Sequence, residues 1–191
     1  MDIHKAICEH QELFGDLTSL VDEVEQVANE MTSRLQAGGT VYWFGNGGSA
    51  LQAQHFACEL VGRYEQERRG LASVSLTTDA SILTAIANDY SFDAVFARQV
   101  EALCKPGDVV VGISTSGNSA NVLQGIDAAS SIGALTVGFC GGDGGKLARA
   151  VDLPLVVPSP RTSRVQVAHL FLGHTICELV ELDFANRGED V

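Results

Sequence analysis

His55 and Glu59 stand four residues apart, the spacing that puts an imidazole and a carboxylate on one face of a helix. The run just before them, Gly45-Asn46-Gly47-Gly48-Ser49, offers unhindered backbone N–H groups and polar side chains where a helix would begin, a setting that holds phosphate. An acid/base pair beside an anion-binding turn points to chemistry on a phosphorylated molecule. Gln166 and His174, more than a hundred residues downstream, are the candidate partners. They lie eight residues apart, a little over two helical turns, so on one helix they face roughly the same side, with His169 near Gln166. Two helices would then offer two imidazoles, a carboxylate and an amide oxygen. Imidazole and carboxylate suit zinc, and the amide is the harder, weaker ligand of a labile or catalytic site. The structural alternative is an i,i+4 helix pair at His55 and Glu59 and a satisfied core histidine at His174.

A second polar turn, Ser114-Thr115-Ser116-Gly117-Asn118-Ser119, follows an apolar run and opens another helical stretch. Its four hydroxyls, with the amides of the first turn, could bind a phosphate without any lysine. Tight-turn glycines and an N-cap with spare serines are the plainer readings of these two segments. Neither turn matches the lysine-bearing phosphate loop or the G-x-G-x-x-G fingerprint, which disfavours nucleoside triphosphates and NAD.

Short apolar, β-rich runs at Val41 to Phe44, Ala72 to Leu76, Val109 to Ile113, Leu135 to Phe139 and Leu153 to Val157 predict five strands. Helical stretches at Ala50 to Gly62, Ala80 to Ala87, Asp93 to Leu103, Ala120 to Ile132 and Lys146 to Ala150 alternate with them, and a last helix runs from about Arg161 to Phe184. Strands apolar on both sides that alternate with helices indicate an α/β three-layer sandwich around a five-stranded parallel sheet, with ligands at the carboxyl ends of the strands. Ahead of it, Ile3 to Leu35 reads as one or two helices with a break near Gly15. Leu17, Leu20, Val21, Val24, Val27 and Met31 supply more apolar surface there than a thin cover layer needs, so residues 1–37 are expected to pack between subunits.

At 191 residues and 46% apolar, with no composition shift, the chain is expected to form a single domain spanning 1–191. A formal net charge of −12 opposes binding to nucleic acid or an anionic membrane. Cys8, Cys58, Cys104, Cys140 and Cys177 are odd in number, widely spaced and free of C-x-x-C pairs, the usage of reduced thiols in a cytoplasmic protein. The start, Met1-Asp2-Ile3-His4, lacks the features of a signal peptide, and no stretch approaches the ~18 apolar residues of a membrane span.

Taken in order, the first turn with His55-x3-Glu59, then Asn88-Asp89, the serine turn, and Arg164-Val165-Gln166-x2-His169-x4-His174 closely resemble the phosphoheptose isomerase family of sugar isomerase (SIS) domain proteins. The resemblance covers nearly the whole chain. It implies isomerisation of sedoheptulose 7-phosphate to D-glycero-D-manno-heptose 7-phosphate, a step toward nucleotide-activated heptose, by a homotetramer with sites at subunit interfaces. It further implies Glu59 and His174 as the acid/base pair, and His55, Glu59, Gln166 and His174 as ligands of one zinc per subunit. Asn46, Gly47, Gly48, Glu59, Asn88, Asp89, Ser114, Thr115, Ser116, Ser119 and Gln166 fall on substrate-contacting positions, and Ser49 completes the first turn. Val167 and Ser163 depart from the family pattern, which often carries acidic residues there. A non-catalytic relative, a phosphosugar sensor or an adaptor for a replication initiator, is the rival reading. The initiator binders lack the glutamate and the second histidine, so Glu59 and His174 favour an enzyme.

The chemistry suits the residues independently of the name. Ketose-to-aldose conversion moves a proton between C1 and C2 through an enediol, which needs a base near both carbons and an acid or metal at the oxygens. Either Glu59 or His174 can take the proton.

Overall fold

Val41, Tyr42, Trp43 and Phe44 are all buried, so the extended chain that carries them must be covered on both faces. In the computed structural model, which describes residues 2–186, it is. Strand β1 (Val41–Gly45) sits inside a five-stranded sheet with β2 (Ser73–Ser75), β3 (Val109–Ser114), β4 (Leu135–Gly141) and β5 (Leu153–Val157), in the order β2-β1-β3-β4-β5 and parallel throughout. The alternation of side chains divides the core in two. Val41, Trp43, Val111, Ile113, Phe139 and Val157 face helices α2 (Val21–Gln36), α3 (Gly48–Val61) and α8 (Thr162–Asn186). Tyr42, Phe44, Val110 and Cys140 face α4 (Ala80–Asp89), α5 (Ala97–Leu103), α6 (Ala120–Ile132) and the short α7 (Leu147–Ala150). This is the expected three-layer α/β sandwich.

Two elements differ from the sequence reading. The expected helix from Asp93 begins instead as a single 3-10 turn, Phe92–Ala94, and α5 starts only at Ala97. The break lets the adjacent Val95 and Phe96 both enter the core, where Phe96 stacks on Phe44 with ring centroids 4.8 Å apart. At the N-terminus, α1 (Ile3–Asp16) passes through Gly15 and is separated from α2 by a 3-10 turn, Leu17–Leu20. Residues three apart eclipse in that geometry, and Leu17 and Leu20 are buried together.

Leu17, Leu20, Val24, Val27 and Met31 pack into the chain's own core. Of the positions behind the expected subunit contact only Val21 is exposed, joined by Ile3 and Ile7 on α1.

Candidate active site

Helices α3 and α8 run side by side because Gly173 has no side chain: the Phe56 ring occupies the space that a Cβ there would take. That close approach sets His55 of α3 against His174 of α8. Their Nε2 atoms are 2.6 Å apart, and Glu59 Oε1 lies 3.5 Å from His55 Nε2. Ligand atoms of the three side chains all fall within 4.8 Å of one another. Burial first, and the neighbouring His55 second, lower the pKa of His174 against the opposing pull of Glu59. Its ring is therefore neutral near pH 7 and carries a lone pair. Two imidazole nitrogens and a carboxylate oxygen converging at a half-buried spot form a three-ligand set of the kind that holds catalytic zinc.

Gln166 also faces α3, but at its other end. Its side-chain amide lies within 3.0 Å of where a side chain on Gly48 would begin, and its backbone carbonyl accepts a 2.6 Å hydrogen bond from Gln52 Nε2. Eight residues of helix correspond to a rise of about 12 Å, so Gln166 stands beside the first glycine turn while His174 stands at the triad. His169 belongs to neither. It is fully buried, its Nε2–H donates to the Cys140 carbonyl at 2.9 Å, and burial pushes its pKa down to about 4. Its work is to fasten α8 to β4.

The two polar turns lie next to each other because β1 and β3 are neighbours, with Gly45 opposite Ile113. Asn46 and Asn121 join them by reciprocal amide bonds of 2.8 Å each. In the second turn the Ser114 and Ser119 hydroxyls are 3.0 Å apart, and Asn118 N donates to Ser116 Oγ at 3.2 Å. Gly117 has φ +64, and a Cβ there would run into the Gly144 carbonyl. The loop after β4 thus braces the serine turn, with Leu147 N donating to Gly117 O at 2.9 Å. Thr115 and Ser119 are half-buried and Ser116 is exposed, and these hydroxyls lie with the N-terminus of α6 at the carboxyl edge of the sheet.

Ser49 is buried beneath its turn. Asn88 and Asp89, at the end of α4, are exposed, and among the described residues their side-chain hydrogen bond, 2.8 Å, is to each other. Val167 is exposed with Leu170 and Phe171 on the outer side of α8, and Ser163 is exposed at its start. Two residues that the sequence did not single out stand beside the polar turns. Asn121 and Gln52 are buried polar side chains that tie the two turns and α8 together, and their types and positions just inside two helix starts were the available signal.

A SIS-domain family model matches residues 9–141. The chain is 54% identical over 159 residues to the phosphoheptose isomerase of Aquifex aeolicus, covering 83% of each. It is 47% identical over 186 residues to that of Helicobacter pylori, covering 97% of each. Among solved structures, the phosphoheptose isomerase of Neisseria gonorrhoeae superposes with a TM-score of 0.89 at 43% identity, over 94% of this chain and 97% of that one. The Francisella tularensis phosphoheptose isomerase gives 0.91 at 33% identity, over 94% and 96%. With its sheet, its paired polar turns and its likeness to these enzymes end to end, the chain belongs to the SIS-domain family and, within it, to the phosphoheptose isomerases.

Proposed function

We infer that this protein is an aldose–ketose isomerase that interconverts sedoheptulose 7-phosphate and D-glycero-D-manno-heptose 7-phosphate through an enediol. The observation that carries the reading is the meeting of Glu59 and His174 at His55, on the helix that opens from the first polar turn. Hydroxyls of Ser114, Thr115, Ser116 and Ser119, with backbone N–H groups of Asn46, Gly47 and Gly48, hold the phosphate at one end. Binding energy gained there orients C1 and C2 at the other end. Glu59 and His174 act on the transferring proton: one removes it from C1 of the ketose and returns it at C2, while the other protonates the C2 oxygen and then takes the proton of the C1 hydroxyl, and the same groups retrace these steps in the back reaction.

His55, Glu59 and His174 fit one zinc per subunit, whereas Gln166, expected as a fourth ligand, has its amide at Gly48 beside the first polar turn. Zinc bound there would polarise the sugar oxygens and lower the cost of the enediolate charge. The enzyme works as a homotetramer. Supporting this are the exposed apolar side chains Ile3, Ile7, Val21, Val167, Leu170 and Phe171, and the exposure of Asn88 and Asp89 at the end of α4. The chain acts as one domain in the cytoplasm, where its thiols stay reduced. The net charge of −12 speaks against nucleic-acid and membrane partners, and among the described residues no helix is long and apolar enough to cross a membrane.

Purified protein incubated with sedoheptulose 7-phosphate and followed by NMR should form the aldose signals. Absence of turnover both with and without added zinc would reject the isomerase and leave a phosphosugar sensor or adaptor.

A further inference from the structure

The segment that leaves α3 is pinned by two buried charges that the proposed reaction does not use. Glu181 of α8 is 1% exposed. Its carboxylate accepts backbone hydrogen bonds from Tyr64, Glu65 and Gln66 at 2.7, 2.6 and 2.7 Å, and it faces Arg68 Nε at 3.4 Å. The Arg68 guanidinium reaches back to the end of α3, donating to the carbonyls of Glu59 at 2.7 Å, Leu60 at 2.8 Å and Gly62 at 2.9 Å. Those carbonyls have no partner within the helix, and a cation among them closes its last turn. Glu59 is on that turn.

The same clamp sets the position of Tyr64. Its backbone N–H is held by Glu181, and its half-buried ring lies against His174 with centroids 5.4 Å apart and planes 41° apart. Phe56 meets the same imidazole edge-on at 6.3 Å, and His55 meets it at 4.9 Å. Among the described residues three rings meet the His174 imidazole, two from α3 and the third, that of Tyr64, from the segment beyond it.

We propose that Tyr64 is a positioning residue for the proton-transfer pair: clamped through its backbone by Glu181 and Arg68, its ring fixes the orientation in which His174 meets Glu59 and His55. This rests on the acid/base reading given above. What is required of Tyr64 is its ring, not its hydroxyl. Phenylalanine should therefore serve in its place, whereas a side chain without a ring should free the imidazole.

The test compares Tyr64→Phe with Tyr64→Ala, and with Tyr64→Leu should the alanine variant melt well below the wild type. Turnover of sedoheptulose 7-phosphate should stay within about threefold of wild type for phenylalanine. For alanine or leucine kcat should fall by at least tenfold with KM changed less than about twofold, because the polar turns are untouched. The His174 ring resonances, observed by NMR with labelled histidine, should broaden or shift in the alanine or leucine variant and remain in place in Tyr64→Phe. Equal loss in the phenylalanine variant would assign the role to the hydroxyl and overturn the proposal. A rise in KM at constant kcat, or an unchanged His174 signature in the ringless variant, would overturn it as well. A wild type without turnover would instead refute the isomerase reading, and the imidazole spectra would then decide the positioning claim alone.

Discussion

The proposed phosphate end of the site is built from two short turns, each a contiguous run of chain, whereas the proposed proton-transfer end is built from single side chains on two helices more than a hundred residues apart. At the first, backbone N–H groups and hydroxyls of two turns converge because β1 and β3 are adjacent strands. At the second, His55 and Glu59 meet His174 only because α3 and α8 pack closely at Gly173. The difference teaches where each end is vulnerable. Removing one donor of many from a turn weakens binding by a step, but loosening the helix contact or its clamp disturbs the geometry on which proton transfer depends. The two ends should therefore separate in mutants, binding following one and turnover the other.

The largest effect is expected at the clamp. Glu181→Ala leaves the Arg68 guanidinium buried without its partner, and loss of one member of such a pair costs about 3 to 5 kcal/mol, enough to lower Tm by on the order of 10 °C. Burial would raise the pKa of Glu181, but backbone N–H groups of Gln66, Glu65 and Tyr64, with Arg68, outweigh it and hold the carboxyl below its ordinary value. A carboxyl depressed in the folded state stabilises fully above its ordinary range, near pH 4.5, and loses that contribution as the pH falls through the depressed value. Thermal melts from pH 7 down to pH 3 should therefore show the gap between wild type and Glu181→Ala narrowing below about pH 4.5. A constant gap would remove the charged carboxylate from the account.

His174→Gln comes next and sharpens the comparison from the reacting end. It should lower kcat by at least ~100-fold, the usual scale for a lost acid or base, with little change in KM. A parallel rise in KM would mean that the two ends are not separable. The smallest effects belong to the serine turn. Ser116→Ala and Ser119→Ala should each weaken inorganic phosphate and substrate by about 1.5 to 3 kcal/mol, the worth of a charge-assisted hydrogen bond, with the fold intact. Calorimetric titration with phosphate checks this, and unchanged affinity in both variants would place the phosphate elsewhere.

The same division explains what could be read in advance. Both polar turns and all five strands are local patterns, legible because glycine, serine and apolar runs act over a few residues. His55 with Glu59 and Gln166 with His174 were legible as helical spacings, yet only packing shows that His174 completes the triad while Gln166 lies at the first turn. His169 shared that helix and its chemistry, and it turned inward to Cys140 because its position faces the sheet. The clamp was not legible at all. Glu181 binds backbone atoms 115 to 117 residues away, and nothing local distinguishes it from the solvated acids of this acidic chain. The break before α5 has no local signal for a similar reason, since it serves a stacking partner, Phe44, on a distant strand.

Glu59→Gln separates binding from turnover at the proposed acid/base pair, because it keeps the shape of the side chain while removing its basicity and weakening it as the proposed zinc ligand. Substrate affinity measured by calorimetry and turnover measured by NMR, on the same preparation and with zinc in excess, should part company. The account predicts a dissociation constant within about threefold of wild type and kcat lower by at least ~100-fold. Full recovery of turnover with zinc would reduce Glu59 to a ligand, and wild-type turnover without added metal would contradict the acid/base assignment outright.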